Sequence, residues 1–272
     1  MSEIAAKARR FRELHAGPAP LLLPNPWDAG SARILASLGF QALATSSGAA
    51  AAVLGRRDGA ISRDEALAHA RGIAAATDLP VSGDLENGFG RKPEEVAETI
   101  RRAGEAGLVG GSIEDYGGEP QAPLYEFTLA VERVAAAVEA VRDLPFPFTL
   151  TARTEGFIRG RPDLDETLRR MQAFAQAGAD VLFAPGLSDL ATVRSVCAAV
   201  AKPVNFMAGI RGKSFSVAEL QAAGVRRISF GTSLYRAAIG GLLAAGTEAL
   251  TAGTFGYTET AVATPQLYER LG

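Results

Sequence analysis

Apolar and polar positions along the chain follow two alternating rhythms. A short apolar run comes first, then a polar or glycine turn, then a longer stretch in which Ala, Leu and Arg recur at helical spacing. Eight apolar runs read as strands: Leu21 to Pro24, Ala42 to Thr45, Val81 to Gly83, Gly110 to Ile113, Phe148 to Ala152, Val181 to Ala184, Pro203 to Asn205 and Arg227 to Phe230. Helical patterns follow them, among them Ala29 to Leu38, Glu94 to Ala106, Asp163 to Ala177 and Asp189 to Val200. Strands alternating with helices pair in parallel through crossovers, and eight units in 272 residues predict a single α/β domain, a (β/α)8 TIM-type barrel. A doubly wound open sheet is the alternative. Gly39, Gly107, Gly178 and Gly224 each stand where a left-handed cap ends a helix just before a strand. Beyond the eighth run, Leu234 to Ala249 reads as one helix, and Thr251 to Gly256 breaks it before a short helix near Pro265 to Leu271. This C-terminal helical extension, about residues 234–272, exceeds barrel closure. Such surplus packs on the barrel or on a neighbouring subunit, so a homo-oligomer, dimer or tetramer, is expected.

Composition narrows the function. The chain is 47% hydrophobic and 21% charged with a formal net charge of -2, and its basic clusters are pairs such as Arg9-Arg10 and Arg101-Arg102, which argues against nucleic acid as a partner. No apolar run has membrane-spanning length, and the Arg-rich amino terminus has no apolar core, so neither a membrane span nor a secretory signal is expected. Cys197 is the one cysteine and cannot form an internal disulfide; the expected compartment is the cytoplasm.

In a parallel barrel the residues just after each strand face the substrate. Here they are Asn25, Trp27 and Asp28; Ser46, Ser47 and Gly48; Asp84 and Glu86; Glu114 and Asp115; Arg153, Thr154 and Glu155; Pro185; Asn205; and Gly231 with Thr232. Acids crowd the third and fourth strands, and one arginine stands at the fifth. Asp84 and Glu86 sit two apart, so an extended backbone would point both carboxylates to one side. Mg2+ takes one or two carboxylates directly and keeps several waters, which such a pair beside the Gly88-Phe89-Gly90 turn could satisfy. The competing reading is that both acids cap the next helix.

Absences are equally informative. His15 and His69 lie in helical stretches, which argues against histidine metal sites and Ser-His-Asp catalysis. Lys7, Lys92, Lys202 and Lys213 end no strand, which argues against a Schiff base. Cys197 reads as a small core residue.

The stretches Trp27-Asp28-Ala29-Gly30-Ser31-Ala32-Arg33, Ser47-Gly48, Asp84-Leu85-Glu86-Asn87-Gly88-Phe89-Gly90, Ile113-Glu114-Asp115, Ala152-Arg153-Thr154-Glu155, Ala177-Gly178-Ala179-Asp180 and Asn205, in this order at barrel spacing, resemble the isocitrate lyase/phosphoenolpyruvate mutase superfamily. The resemblance spans nearly the whole barrel. It implies an enzyme dependent on Mg2+, with Mn2+ as a substitute, that makes or breaks a carbon-carbon or carbon-phosphorus bond beside a 2-oxo acid through a metal-bound enolate. It implies Asp84, Glu86 and Glu114 as metal-site acids, Arg153 as the fork that grips substrate oxygens, and Trp27, Ser46, Ser47, Gly48 and Asn205 as substrate contacts. The loop Val53-Leu54-Gly55-Arg56-Arg57-Asp58-Gly59-Ala60 matches the segment that closes over substrate, with Asp58 as its polar gate residue. Asp28 and Asp115 read equally well as caps.

Two departures shape the expected chemistry. The loop Asp115-Tyr116-Gly117-Gly118-Glu119-Pro120-Gln121-Ala122-Pro123 has neither the lysine and cysteine of the tricarboxylate lyases nor the lysine and asparagine of the mutases. Phe183-Ala184-Pro185-Gly186 lacks a glutamate or histidine that some relatives have. The expected activity is therefore a magnesium-dependent lyase or decarboxylase of a small 2-oxo or 2-hydroxy dicarboxylate. Carbon-phosphorus cleavage, a barrel that only binds a 2-oxo acid, and a phosphate ester held at Gly231-Thr232 are the alternatives.

Overall fold

The computed structural model describes residues 2–272. Helix α1 (Glu3–His15) precedes the first strand, and the strands are β1 (Leu21–Leu23), β2 (Leu43–Ala44), β3 (Val81–Asp84), β4 (Gly110–Glu114), β5 (Thr149–Arg153), β6 (Val181–Phe183), β7 (Val204–Met207) and β8 (Arg227–Ser229). All pairings are parallel, in the order β1-β8-β7-β6-β5-β4-β3-β2. The remaining seam is bridged by Ala44 N–H, which donates to Pro24 O at 3.0 Å and brings β2 against the end of β1. The eight expected runs are the eight strands of a (β/α)8 barrel.

Between the strands lie α2 (Ala29–Ser37), α3 (Ser47–Val53), α4 (Arg63–Ala75), α5 (Pro93–Glu105), α6 (Phe127–Arg142), α7 (Leu164–Ala177), α8 (Leu190–Ala199) and α9 (Val217–Ala222). Their ends are written locally. In α5, Pro93 stands in the first turn, Glu95 reaches back to the Lys92 amide at 2.8 Å, and Arg102 lies in the last turn, where each suits the exposed amides or carbonyls. Gly178 ends α7 at φ 111°, in the left-handed region that glycine adopts without steric penalty.

The apolar core lies between strands and helices, where Val109, Ile113, Leu150, Leu182, Phe206 and Ile228 are buried. The barrel interior is different. Bulky branched side chains normally fill it, yet here buried Ser82, Ser112, Thr151, Asn205, Arg227 and Ser229 lie on the strands, and Arg227 bonds across the barrel to Thr151 at 2.9 Å.

After β8 come α10 (Ser233–Thr251), a 3-10 turn at Gly256–Glu259, and α11 (Thr264–Leu271). Helix α11 returns to α2, with Arg33 donating to Leu271 O at 3.1 Å. No residue of α10 is buried, and Leu242, Leu243 and Leu250 are exposed along it.

Candidate active site

A cavity of about 180 Å³ opens at the carboxyl ends of the strands. Asn25, Thr45, Ser46, Ser47, Gly48, Asp84, Arg153, Phe183, Met207, Gly231 and Thr232 line it, and Asp58 enters from the loop after α3. Gly48 is small for a reason: a Cβ there would stand 3.0 Å from Thr232 Cγ2 and 3.4 Å from Asp58 Cγ. The missing side chain is what lets the Asp58 loop come down over the mouth.

Asp84 ends β3 and is held from two sides. Its amide donates to Thr45 Oγ1 at 2.9 Å, and its Oδ2 accepts from the Ser47 amide at 3.0 Å and the Ser47 hydroxyl at 2.9 Å. Oδ1 is buried without a hydrogen bond, 3.7 Å from Arg153 Nη1. Glu86 lies beyond the strand in a left-handed turn, φ 47°, so its approach to Asp84 comes from that turn rather than from the extended pairing expected. Its Oε1 is likewise buried and unbonded. Burial and the charges of Asp84 and Asp58 push the Glu86 carboxyl up to about 7, against the pull of Arg153.

Arg153 ends β5 at the centre of an acidic ring. Nε contacts Glu155 Oε1 and lies 3.4 Å from Glu114 Oε2. Arg159 repeats the pattern, with Nε 2.9 Å from Glu155 Oε2 and Nη2 3.7 Å from Glu114 Oε1. Burial drives the Glu114 carboxyl well above the ordinary range, and Glu155 and Asp84 add to that while the two guanidinium groups oppose it. Burial would lower the Arg153 pKa, but Glu114, Glu155 and Asp84 outweigh it and hold the group above its usual value. Three carboxylates, Asp84, Glu114 and Glu155, thus face two guanidinium groups.

The three acids expected around a metal do not form a cage. Among the described residues no three His, Cys, Asp or Glu side chains are grouped to hold an ion. The reason is that Glu114 faces Arg153 and Arg159. Asp84 and Glu86 remain, each with a buried oxygen free, and this excess of hard oxygen donors fits a divalent cation that keeps most of its waters.

Other expected residues fall into different places. Ser46 caps α3, accepting from Ala49 N–H at 3.4 Å, and Ser47 is committed to Asp84. Trp27 is not part of the cavity wall; its ring packs edge-on against Tyr235 of α10, 5.6 Å between centroids. Nor is Asn205 part of that wall. Strand β7 runs on to Met207, so Asn205 lies inside the barrel, donating to Ser229 Oγ and accepting from Arg227 Nε, both at 2.9 Å. Asp28 is the cap of α2. Asp115 is buried behind the site, accepting from Thr154 Oγ1 at 2.8 Å, Glu155 N–H at 2.9 Å and Arg170 Nη1 at 3.2 Å.

Two further residues, Glu155 and Arg159, complete the ring around Arg153. Glu155 is fully buried between Arg153 and Arg159, and Arg159 also covers the Tyr116 ring at 3.6 Å. Their four-residue spacing was the available signal. Cys197 sits on α8 beside Gly224, whose added Cβ would meet it at 2.9 Å, and burial pushes its thiol up to about 11, which leaves it inert.

The phosphoenolpyruvate phosphomutase family model matches residues 11–250. Among characterised relatives, 2-methylisocitrate lyase of Escherichia coli K12 is 32% identical over 240 residues, covering 84% of this chain and 79% of its own. A solved structure from Burkholderia cenocepacia J2315, named only as a lyase/mutase, is 51% identical with a TM-score of 0.97 and covers 98% of this chain and 97% of its own. The structure of 2,3-dimethylmalate lyase is 27% identical with a TM-score of 0.87, covering 98% of this chain and 95% of its own. A match of this extent, joined to a barrel mouth that sets Asp84, Glu114 and Arg153 together, places the chain in the phosphoenolpyruvate mutase/isocitrate lyase superfamily, as an enzyme of the lyase type.

Proposed function

We propose that this chain is a magnesium-dependent lyase, with Mn2+ able to substitute, that breaks a carbon-carbon bond beside the 2-oxo group of a small 2-oxo or 2-hydroxy dicarboxylate. Decarboxylation of an oxaloacetate-like acid is the simplest such step. The reading rests on one observation: Asp84 Oδ1 is buried and unbonded beside Arg153 in the cavity, and Glu86 Oε1 is buried and unbonded close enough to feel the charges of both.

Asp84 and Glu86 would hold the ion, Asp84 directly and Glu86 directly or through water. A bound Mg2+ supplies positive charge at the 2-oxo oxygen, where negative charge gathers as the neighbouring bond breaks. Arg153 grips a substrate carboxylate with its planar fork. Glu155 and Arg159 keep that fork from turning. Glu114, beside both Arg153 and Arg159, holds the two guanidinium groups in place around the substrate. Asp58 closes the mouth and excludes bulk water from the reacting substrate.

The loop after β4 brings no second acid or base. Tyr116 bridges to Leu124 and lies under Arg159, and Glu119 is exposed. Cleavage of a 2-hydroxy tricarboxylate requires such a pair, whereas loss of carbon dioxide from a 2-oxo diacid does not. The loop also favours, as second reading, a barrel that binds 2-oxo acids without turnover. Oxaloacetate decarboxylation assayed with magnesium, against magnesium without protein, tests the first reading. A rate above free metal, lost in Asp84→Ala, is expected. A rate equal to free metal, with binding retained, moves the assignment to the second reading. Efficient cleavage of 2-methylisocitrate, or phosphate release from phosphonopyruvate, overturns both.

The assembly proposed is a homo-oligomer in the cytoplasm, in which a second copy covers the apolar face of α10 that carries Leu242, Leu243 and Leu250. Light scattering that finds a monomer at micromolar concentration refutes it.

A further inference from the structure

We infer that Arg227 forms an oxyanion subsite at the floor of the cavity, where it takes the carboxylate of a diacid substrate remote from the 2-oxo or 2-hydroxy end. The inference rests on the proposed function and assigns the residue that takes the second carboxylate of its dicarboxylate substrate.

Arg227 opens β8 and points into the barrel, 4% exposed, where bulky apolar residues are the norm. Nε donates to Asn205 Oδ1 and Nη1 to Thr151 Oγ1, both at 2.9 Å, and both partners are neutral. Arg227 nonetheless lines the same cavity as Asp84 and Arg153. No carboxylate of the described residues offsets its charge: burial alone lowers its pKa, to about 9. A buried guanidinium without a counter-ion is unfavourable, and an anion that reaches it relieves that penalty.

The surroundings leave room for one. Ser82, Ser112 and Ser229 also line the cavity, so the path is polar and its walls are small. Asp84 is the last residue of β3 and Asp58 comes from the loop above it, whereas Arg227 is the first residue of β8 and so lies deeper in the barrel. A ligand bound along this axis puts its metal-chelating end at Asp84 and a second negative group at Arg227. The volume of about 180 Å³ is below the roughly 300–1,000 Å³ of drug-sized sites and suits an acid of a few carbon atoms.

The test is calorimetric titration, with magnesium, of DL-malate and DL-2-hydroxybutyrate, which differ only in a methyl group where malate has its distal carboxylate. The parent should prefer malate by about 30-fold, a typical worth for a charge-assisted bond. In Arg227→Gln the preference should vanish while affinity for 2-hydroxybutyrate stays. Arg227→Lys keeps the charge without the fork, and should retain a weakened preference; it serves if the Gln variant does not fold. Equal losses for both acids would mean that Arg227 only braces Thr151 and Asn205, and an unchanged preference would also overturn the inference. If the parent binds neither acid, the proposed function fails, and malonate decides the subsite by itself. Stabilisation by malonate in the parent and not in Arg227→Gln keeps the subsite, and its absence removes it.

Discussion

His15 gives the most direct test of the electrostatics of this barrel. It closes α1, is 8% exposed, and its Nδ1 lies 2.8 Å from Phe11 O, so the neutral ring donates there while Nε2 is buried without a partner. Burial first and the charge of Arg227 second lower its pKa from 6.5 to about 4. The unfolded chain therefore binds a proton below about pH 6.5 that the folded chain refuses until about pH 4. Stability is complete above the unfolded value and falls as the pH drops through this window. At about 1.4 kcal/mol for each tenfold in proton affinity, the contribution lost between about pH 7.5 and about pH 5 is about 2 kcal/mol. Urea denaturation at several pH values measures it, and His15→Gln should lower the slope by that amount. Since the chain has two histidines, His15 and His69, proton NMR can follow each ring directly. Parallel stability profiles in parent and variant, or a His15 ring that titrates near 6.5, would refute the reasoning. In Arg227→Gln the His15 pKa should rise, because one of its two causes is gone.

Arg153→Lys should weaken 2-oxo acid binding about tenfold or more, since an ammonium cannot make the paired contact of a guanidinium; titration calorimetry reads this. Glu155→Gln should lower turnover about tenfold to a hundredfold, as loss of an outer support does, with the fold intact by circular dichroism. Asp58→Ala should lower kcat about a hundredfold with little change in acid affinity, because the residue closes the mouth rather than holding the ligand. Arg133 on α6, 1% exposed, donates to Asn87 O, Gly90 O and Arg91 O; Arg133→Met should cost about 3 kcal/mol in urea denaturation by orphaning those carbonyls.

Local sequence determined the strand count, the helix ends and which residues stand at the rim. A glycine that needs positive φ, a cap three residues before its partner amide, and an apolar run of strand length each act over a few residues, so Gly178, Asp28 and the eight strands were legible. Asp84, Glu114 and Arg153 were legible too, because a parallel barrel delivers the last residue of a strand to its mouth. Depth and facing were decided only by the tertiary structure. Strand tilt and register set how far each residue lies down the barrel, and that register is a property of all eight strands together. It carried Asn205 inside to Arg227, because β7 runs on to Met207. It turned Asp115 outward to Arg170 while its neighbour Glu114 faced Arg153. Partners distant in sequence, Asp84 with Ser47 or Arg227 with Thr151, meet only when the barrel closes, and closure is also what leaves the Arg227 charge without a counter-ion.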